Sequence, residues 1–398
     1  MRLLHTSDWH LGRTLHGASL LEYQAGFLDW LLAQAVTHDV HAVVVAGDIY
    51  DRAVPSTDAV VLLDRVLAGF AQARIPVILT SGNHDSAIRL GFGSRLSEQA
   101  GIHLRTRVAD LGRPVLVGDE HGEVAIYGIP YLLPDAVLAE LDAERSHASV
   151  LGKAAARIRA DAAARGVTRT VVAAHAFVTG AVPSESERDI RVGGIGDVPA
   201  SVFAGLGYVA LGHLHGQQDV AVLPGPDGRP ATTVRYSGSP LAFSFSERQH
   251  VKSVTLVDID AAGTASVSSL PAPVPRPLRE VRGRLDDLLA RADGDLADLA
   301  GAWVKAVLTD PVRPAAPMER LRERWPHTLV LDFAPDGGTG DAAADLRRLA
   351  QAADPAEICG LFVEYTSGGP PDPDQQAVLR EVIESVQQAE FADAGAGA

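Results

Sequence analysis

Five apolar runs in this chain each end in residues of the kind that bind metal ions, and this pattern limits the possible folds more than any other feature. The runs have the composition of buried β-strands, and the first ones alternate with amphipathic helices, as in βαβ units. Because open α/β sheets place their sites at the carboxyl ends of strands, the five terminal segments are expected to converge. They are Ser7-Asp8-Trp9-His10, Gly47-Asp48, Gly82-Asn83-His84-Asp85, Ala174-His175 and Gly212-His213-Leu214-His215.

Seven residues in these segments have side chains that bind divalent metal ions. A carboxylate at the end of a buried strand, such as Asp48, is costly unless it is paired or metal-bound, and it suits a bridge between two ions. The amide oxygen of Asn83 is a hard, neutral ligand that favours Mn²⁺ or Mg²⁺. Taken singly, Asp48 could cap a helix, Asn83 could form a turn and each histidine could be structural. Together they predict a two-metal phosphoesterase site that contains Asp8, His10, Asp48, Asn83, His175, His213 and His215.

The composition is that of a folded globular protein. Its 398 residues predict two or three domains, and 46% of them are apolar, which is enough for a large core. Cys359 is the single cysteine, which excludes an intramolecular disulfide framework and favours the cytosol. The sequence has no apolar run of the ~18–20 residues that a bilayer crossing needs and no targeting segment. We therefore expect a cytoplasmic protein that does not associate with a membrane.

The charge distribution leaves the partner open. A formal net charge of −15 argues against a polyanionic partner, but bound cations would provide positive charge where a phosphate must arrive. Directly after Asn83-His84, residues 86–113 carry five arginines against one glutamate and one aspartate. This segment is either a solvated basic face or a contact for DNA. Under the second interpretation the DNA-binding residues are Arg89, Arg95, Arg105 and Arg107.

The predicted fold class is α/β (α+β), with two sheets flanked by helices and a small C-terminal domain. Strands are predicted over residues 2–6, 42–46, 76–80, 122–129, 170–174, 208–211, 232–237 and 251–258, and helices near 20–37, 58–73 and 151–165. Most of the later strands lack intervening helices, so the second half of the sheet pair is expected to be mixed or antiparallel. The Ala-rich helix of residues 151–165 should pack on an outer face.

Four prolines between residues 271 and 277 favour extended backbone and mark a domain boundary. The predicted domains are a catalytic domain over 1–270, a Pro-rich linker over 271–277, a small α+β domain over 278–370 and a C-terminal helix and tail over 371–398. In the small domain, strands are predicted over 278–285, 303–308, 328–333 and 361–366, and helices over 286–299 and 318–324. Residues 335–353 should form a loop and a short helix, and residues 374–391 a single isolated amphipathic helix.

The order Asp-x-His, Gly-Asp, Gly-Asn-His, Gly-His-x-His resembles the calcineurin-like metallophosphoesterase superfamily. The resemblance implies one ion held by Asp8, His10, Asp48 and His215, and another held by Asp48, Asn83, His175 and His213. Two ions can clamp both sides of an in-line displacement at phosphorus. The resemblance further implies that His84 stays off the metals and contacts the phosphate, and that Asp85 orients His84.

Within that superfamily, several segments resemble the SbcD family of bacterial nuclease subunits. They are residues 5–12 and 47–51, Ser184-Glu185-Ser186-Glu187-Arg188 with Val192-Gly193-Gly194, residues 208–215, Ser237-Gly238-Ser239-Pro240-Leu241 and Phe245-Ser246-Glu247. The small domain after the prolines resembles the capping domain of that family. Two departures are the run 225–230, of uncertain role, and a tail with one helix where a helical hairpin is expected.

The SbcD resemblance implies a DNA nuclease that cleaves double-strand ends and hairpins with two Mn²⁺ ions, or Mg²⁺, in DNA repair and recombination. It implies a nucleoid-associated homodimer in a heterotetramer with an SbcC-type coiled-coil ATPase. The helix of residues 374–391 either docks on that ATPase or packs on its own capping domain. Two other functions stay open: a phosphomonoesterase or cyclic-nucleotide phosphodiesterase of the same superfamily, and a non-catalytic scaffold for the ATPase.

Overall fold

The computed structural model describes residues 1–187, 198–224, 231–335, 355–367 and 370–395. The chain divides into two compact units, Met1–Pro275 and Arg276–Ala398. The predicted linker, residues 271–277, spans this division. Arg188, the segment Val192-Gly193-Gly194, the run 225–230 and nearly all of the predicted loop and short helix of residues 335–353 lie outside the described residues.

The first sheet of the N-terminal unit has parallel strands that alternate with helices. In spatial order its six strands are β14 (Ala265–Pro271), β13 (Ser253–Ile259), β1 (Arg2–Thr6), β4 (Ala42–Ala46), β5 (Val77–Thr80) and β6 (Ile102–Arg105). Strands β1, β4, β5 and β6 are parallel, whereas β13 and β14 are added antiparallel. Helix α1 (Leu21–Thr37) connects β1 to β4, and α2 (Thr57–Gln72), capped by the Ser56 side chain, connects β4 to β5.

The second sheet also has a parallel centre and antiparallel edges. Its strands in spatial order are β11 (Gln218–Leu223), β12 (Thr232–Tyr236), β10 (Tyr208–Gly212), β9 (Thr170–His175), β8 (Gly122–Ile129) and β7 (Val115–Asp119). The edge strands β11 and β7 are antiparallel to their neighbours. Helices α5 (Pro134–Leu141) and α6 (His147–Arg165) lie between β8 and β9 in sequence. Shorter elements of the unit are β2 (Thr14–Leu15), β3 (Ala18–Ser19), α3 (Ala87–Leu90) and α4 (Ser94–Ser97).

The two sheets pack face to face between outer helices. In β4, Val44 faces the second sheet while Val43 and Val45 face α1 and α2, so both sides of the strand are buried. This explains why β4 is a continuous apolar run rather than an alternating one. An equivalent cluster joins α6 to the outer face of the second sheet, as predicted for this Ala-rich helix. The predicted two-sheet architecture flanked by helices is confirmed.

The two sheets come into close contact where β10 and β4 end. A Cβ atom on Gly212 would lie 1.8 Å from the carbonyl oxygen of Ala46, so no side chain fits there. The glycine therefore lets the end of one sheet reach the end of the other, and the residues that follow both strands are brought together. Among the described residues, no helix combines the length and the apolar character that a bilayer crossing requires.

The C-terminal unit contains a three-stranded parallel sheet covered by two helices. Its strands are β15 (Leu278–Gly283), β16 (Trp303–Leu308) and β17 (Thr328–Phe333), and its covering helices are α7 (Leu285–Ala290) and α8 (Pro317–Arg324). Leu321 and Trp325 are fully buried in its core. Two further helices, α9 (Pro355–Ser367) and α10 (Pro373–Gly395), contact each other.

Three predictions for the C-terminal unit are corrected. Residues 361–366 form part of α9 rather than a strand, because a short apolar run such as Leu361-Phe362-Val363 fits a helix equally well. The helix predicted over 286–299 is shorter: α7 ends at Ala290, and turns around Gly294 follow it. The predicted helix over 374–391 is confirmed as α10, but it is not isolated, because it pairs with α9.

Candidate metal centre

Strand ends from both sheets meet at one site in the N-terminal unit. The seven predicted ligands follow β1, β4, β5, β9 and β10, and the structure brings all seven together. His175 Nε2 lies 2.9 Å and His213 Nδ1 lies 3.3 Å from Asn83 Oδ1. On the other side of the site, His10 Nε2 and His215 Nε2 are 3.2 Å apart. Two lobes of nitrogen and oxygen donors are thus formed.

Asp48 lies between the two lobes. Its Oδ2 atom is 3.5 Å from His10 Nε2 and 3.4 Å from His175 Nε2, so one oxygen faces both groups of donors. Its Oδ1 atom accepts a hydrogen bond from the backbone N–H of His84 at 2.8 Å. Asp8 lies close to both groups, since its carboxylate joins His10 and His215 in one cluster and Asp48 and His175 in another, with potential ligand atoms within 4.8 Å of one another. One oxygen of Asp48 is thus within 3.5 Å of an imidazole nitrogen from each group of donors.

The electrostatics of these side chains fit a divalent cation. Asp8 and Asp48 are buried, and burial raises the pKa of both carboxyl groups above its ordinary value. Burial likewise lowers the pKa of His10, and it lowers the pKa of His175 to about 4, so the imidazoles are neutral at pH 7. Buried carboxylates among neutral imidazoles lack a matching positive charge, and metal ions provide it. The donor set therefore suits divalent metal ions.

A hydrogen bond to the backbone fixes the tautomer of His175. The Nδ1–H of His175 donates to the carbonyl of Ala46 at 3.0 Å, which leaves the Nε2 lone pair directed at Asn83 and Asp48. A metal-binding imidazole needs an unprotonated nitrogen facing the ion, and a backbone acceptor on the other nitrogen ensures it.

The backbone around the ligands adopts conformations that most residues avoid. Four of the predicted ligands have a positive φ: 53° at Asp8, 44° at His10, 49° at Asp48 and 107° at His213. Such angles cost energy in L-residues and are concentrated at functional sites. The loops after β1 and β4 support one another, because Asp8 N–H donates to Gly47 O at 3.1 Å and His10 N–H to Asp48 O at 2.9 Å. These sharp turns direct the side chains of Asp8, His10 and Asp48 into one site.

Steric contact with Asp48 explains why position 82, in the Gly-Asn-His segment, is a glycine. A Cβ atom on Gly82 would lie 2.1 Å from Asp48 Oδ1 and 2.3 Å from the Asp48 backbone nitrogen. Even a methyl group at position 82 would therefore displace the central carboxylate.

His84 lies beside Asp48 and His10, and the backbone of Asp51 orients its ring. Its Nδ1–H donates to the backbone carbonyl of Asp51 at 2.8 Å, and its Nε2 lies 4.0 Å from Asp48 Oδ2. The carboxylate of Asp85 instead accepts three backbone N–H groups, from Ile49, Tyr50 and Gly82, at 2.9–3.0 Å. Asp85 therefore ties the loop after β4 to the loop after β5, which corrects its predicted role toward His84.

Desolvation and the nearby charge of Asp48 raise the pKa of the Asp85 carboxyl to about 7. The three N–H donors oppose this rise, because they stabilise the ionised form.

Two residues near the candidate metal-binding side chains were not singled out in the sequence. The ring of Tyr131 lies edge-on to His175, with ring centres 6.3 Å apart. Because Tyr131 follows the end of β8, the same strand-end rule could have found it. Arg13 lies 4.6 Å above the ring of Phe243 and donates to the Ser186 carbonyl at 2.8 Å, with Nη1 3.8 Å from Asp51 Oδ1. Its only local signal was its position three residues after His10.

The arginines predicted to bind DNA differ in their exposure. Arg89 and Arg95 are exposed, and about half of the Arg107 side chain is exposed beside Asp110. Arg105 does not fit the prediction, because its side chain is only 4% exposed and it donates to Glu98 at 2.5 Å. It is the last residue of β6, and its guanidinium anchors that edge of the sheet to the chain around it.

Two family models match the chain. Residues 1–217 match the calcineurin-like phosphoesterase family, and residues 274–367 match the model SbcD_C, described as the type 5 capsule protein repressor C-terminal domain.

Two curated relatives are similar along much of the chain, and both are named as the D component of the nuclease SbcCD. The protein of Staphylococcus saprophyticus is 30% identical over 334 residues, which cover 83% of this chain and 84% of the relative. The protein of Bacillus subtilis strain 168 is 37% identical over 277 residues, which cover 65% of this chain and 66% of the relative.

Solved structures are more distant. A Thermus thermophilus protein is 14% identical with a TM-score of 0.39, over 67% of this chain and 98% of that one. The calcineurin-like phosphoesterase YfkN from Bacillus subtilis is 13% identical with a TM-score of 0.37, over 69% of this chain and 89% of that one. The calcineurin-like fold is shown instead by the family match over residues 1–217 and by the two six-stranded sheets.

Proposed function

The chain belongs to the calcineurin-like phosphoesterase family and, within it, to the SbcD family of SbcCD nuclease components, and we propose that it hydrolyses DNA phosphodiester bonds at double-strand ends and in hairpins. Family membership supports a metal-dependent nuclease in the SbcCD complex. The single observation that carries the proposal is the convergence of seven donor side chains around the shared carboxylate of Asp48.

The proposed site holds two ions, with Mn²⁺ as the expected metal and Mg²⁺ as the alternative. One ion is assigned to Asp8, His10, Asp48 and His215, and the other to Asp48, Asn83, His175 and His213. When bound, such ions polarise phosphoryl oxygens and lower the pKa of water so that it becomes a nucleophile. The protein supports this chemistry by keeping the imidazoles of His10 and His175 neutral and by burying two carboxylates, Asp8 and Asp48, whose charge the ions would balance.

His84 acts on the phosphate in this proposal. Its Nδ1–H is used by the Asp51 carbonyl, so the ring is fixed and Nε2 faces the site. From there a protonated Nε2 can stabilise charge on a phosphoryl oxygen or transfer a proton to the leaving oxygen. Asp85 contributes indirectly, because the loops that carry Asp48 and His84 are both tied to its carboxylate.

The proposed DNA contact is the segment after His84. Arg89 and Arg95 are exposed on α3 and α4, and Arg107 is half-exposed further along the chain. Lysines and arginines near a phosphodiesterase site neutralise backbone phosphates on either side of the reacting bond. Arg105 is left out because it is buried and paired with Glu98.

The test compares three substrates in Mn²⁺: linear duplex DNA, a DNA hairpin and a small chromogenic phosphodiester. We expect cleavage of both DNA substrates by the wild-type chain together with its ATPase partner, and loss of cleavage in His84→Ala. Activity restricted to the small ester would refute the nuclease proposal and favour the phosphomonoesterase or cyclic-nucleotide phosphodiesterase. The scaffold alternative predicts no hydrolysis of any substrate. Burial of the Asp8 and Asp48 carboxylates without a metal to balance their charge would be costly, which disfavours the scaffold.

We also propose that α9 and α10 bind the coiled-coil ATPase SbcC. The two helices pair with each other, yet Ile358, Phe362, Val378 and Val382 remain exposed, with Phe362 at 62%. Exposed apolar side chains on a helix pair are typical of a docking surface.

Deletion from Asp374 onward should abolish co-purification with the ATPase. Val382→Asp should weaken it, whereas Glu381→Gln, on the same exposed turn, should leave it unchanged. Full ATPase affinity in the truncated chain would refute this assignment. Packing of α10 on its own capping domain is the alternative, and it predicts a loss of thermal stability in the truncated chain instead.

The proposed assembly contains two copies of this chain. Around the basic segment, Ile88, Phe92 and Leu96 are exposed at four-residue spacing, with Phe92 at 88%. An apolar row of this kind favours contact with a second copy. Phe92→Glu should convert a dimer to a monomer in sedimentation experiments, and Val312→Glu, an exposed apolar position in the other unit, should not. A dimer that persists in Phe92→Glu would exclude this surface.

A further inference from the structure

Two Ser-Glu segments of the N-terminal unit close around His215, and the chemistry described so far does not use them. Ser186 Oγ lies 2.5 Å from His215 Nδ1 and 2.5 Å from Glu247 Oε1, so the hydroxyl stands between the imidazole and the carboxylate. A hydroxyl has one proton to donate, and an ionised carboxylate can only accept. Ser186 therefore donates to Glu247 and accepts the Nδ1–H of His215. His215 keeps Nε2 unprotonated, facing His10.

The Glu247 carboxylate, which accepts the Ser186 hydroxyl, is fixed in place. Glu247 forms a buried ion pair with Lys252, and its Oε1 also accepts the backbone N–H of Phe243 at 3.1 Å. Lys252 in turn donates to the carbonyl of His215 and to Ser239 Oγ, both at 2.9 Å. Because Glu247 and Lys252 are both buried, the pair is held by its surroundings rather than by solvent-exposed contacts. The hydrogen bonds from His215 through Ser186 therefore end on a Glu247 carboxylate that its neighbours hold in one orientation.

The first Ser-Glu segment holds the backbone of the same residue. Glu187 Oε1 accepts the N–H of His215 at 2.7 Å, and its Oε2 accepts the backbone N–H and the hydroxyl of Ser184 at 2.8 and 2.7 Å. His215 is thus held at its ring nitrogen, its N–H and its carbonyl by residues from the two segments and Lys252. The two backbone contacts fix the main chain of His215, and the Ser186 hydroxyl restrains the ring itself.

We propose that Ser186 is a positioning residue that sets the tautomer and orientation of His215 and so determines how tightly the ion assigned to Asp8, His10, Asp48 and His215 is held. Glu247 and Lys252 support it from behind. This inference rests on the proposed function, because it takes His215 as a metal ligand. Outer partners of metal-binding histidines typically change metal affinity by about 10–100-fold, so Ser186→Ala should weaken one of two ions by that factor.

The experiment is a Mn²⁺ titration of the full-length chain, with free Mn²⁺ measured by electron paramagnetic resonance. The wild type should bind two ions. Ser186→Ala should weaken one ion by about 10–100-fold and leave the other within about twofold, and Ser186→Thr, which keeps the hydroxyl, should restore it. Ser246→Ala is the matched control, because this serine lies in the second Ser-Glu segment and contacts Ser244 and Glu185 rather than His215.

Each outcome separates the inference from the proposed function. A wild-type chain that binds fewer than two ions would refute the two-metal proposal itself. Two ions in the wild type with unchanged affinities in Ser186→Ala would overturn the positioning role. Equal weakening of both ions would overturn it as well, since that pattern indicates a general disturbance of the site. The thermal midpoint without metal, expected to fall by at most about 8 °C for the two hydrogen bonds that the Ser186 hydroxyl makes, verifies that the variant is folded.

Discussion

Replacing Asp48 by asparagine should change stability in opposite directions with and without metal. The asparagine amide keeps the shape of the side chain, and its Oδ1 can still accept the His84 N–H. The substitution removes a negative charge that is 2% exposed and faces imidazole nitrogens at 3.4 and 3.5 Å. Without metal this charge is uncompensated, so its removal should stabilise the protein. With metal it is the bridge, so its removal should cost the stabilisation that the ions provide.

The magnitudes follow from burial and linkage. An unsatisfied buried polar group costs about 1–3 kcal/mol, and for a domain of about this size 1 kcal/mol shifts the thermal midpoint by roughly 2–4 °C. The metal-free variant should therefore unfold about 2–12 °C above wild type. An ion at 100 times its Kd adds about 2.7 kcal/mol to the free energy of unfolding, so two such ions add about 5 kcal/mol. Wild type should receive this gain, and the variant little of it.

The pH dependence of stability gives a second, independent prediction of whether Asp48→Asn stabilises the metal-free protein. Burial raises the pKa of Asp48 in the folded state above the unfolded value of about 3.9. The ionised carboxyl therefore begins to cost stability as the pH rises above about 4, and the full cost is reached above the folded-state pKa. The advantage of asparagine in metal-free buffer should vanish below about pH 4, where aspartic acid is protonated in both states.

The assay is thermal unfolding of the full-length chain in a chelator and in Mn²⁺ at 100 times the wild-type Kd. Asp64→Asn, an exposed position on α2, is the matched control and should behave as wild type in both buffers. A lower midpoint for Asp48→Asn in the chelator would refute the claim that the charge is uncompensated. Equal Mn²⁺ stabilisation of wild type and variant would refute the bridge.

Three further perturbations test other parts of the structure. His84→Ala should keep the thermal stabilisation by Mn²⁺ while DNA cleavage falls by about 10²–10⁴-fold, and a parallel loss of both would place His84 among the ligands. Arg95→Gln should reduce the slope of log affinity for duplex DNA against log salt by about 1, and Arg65→Gln, at an exposed position of α2, should leave it unchanged. Asp119→Asn breaks a buried pair with Arg169 and should cost about 3–5 kcal/mol in urea unfolding at pH 7. Because Arg169 lowers the pKa of Asp119, the wild-type advantage should be present above about pH 4 and be lost as the pH falls further.

The part of the site that could be predicted follows from strand burial. Strands such as β4 are buried on both faces and therefore appear as continuous apolar runs, whose ends are easy to locate. A polar residue directly after such a run, such as Asp48 or His175, has few explanations other than function. Parallel strands direct their carboxyl ends to one edge, so the assembly of distant residues follows from strand order alone.

The incorrect or missed predictions concern residues whose roles depend on tertiary contacts and not on their neighbours in the sequence. Asp85 adjoins His84 in the sequence, yet the loop after β4 brings Asp51 to its ring, and no local pattern encodes that crossing. Arg105 looked like a surface charge because β6, an edge strand of only four residues, was not predicted. The pairing of Ser186 with His215 joins residues that are 29 positions apart through a loop and depends on tertiary packing.

The positive φ angles at Asp8, His10, Asp48 and His213 restrict how this sequence can diverge. Among L-residues, Asn, Asp and His are those most often found in left-handed backbone, while longer and β-branched side chains are disfavoured there. A change of Asp8 or Asp48 to glutamate would keep the charge but would have to adopt an unfavourable backbone angle. Fewer residue types are therefore tolerated at these positions than metal chemistry alone would allow. A design that alters metal preference by exchanging ligands should draw on Asp, Asn and His before it considers residues of equal charge.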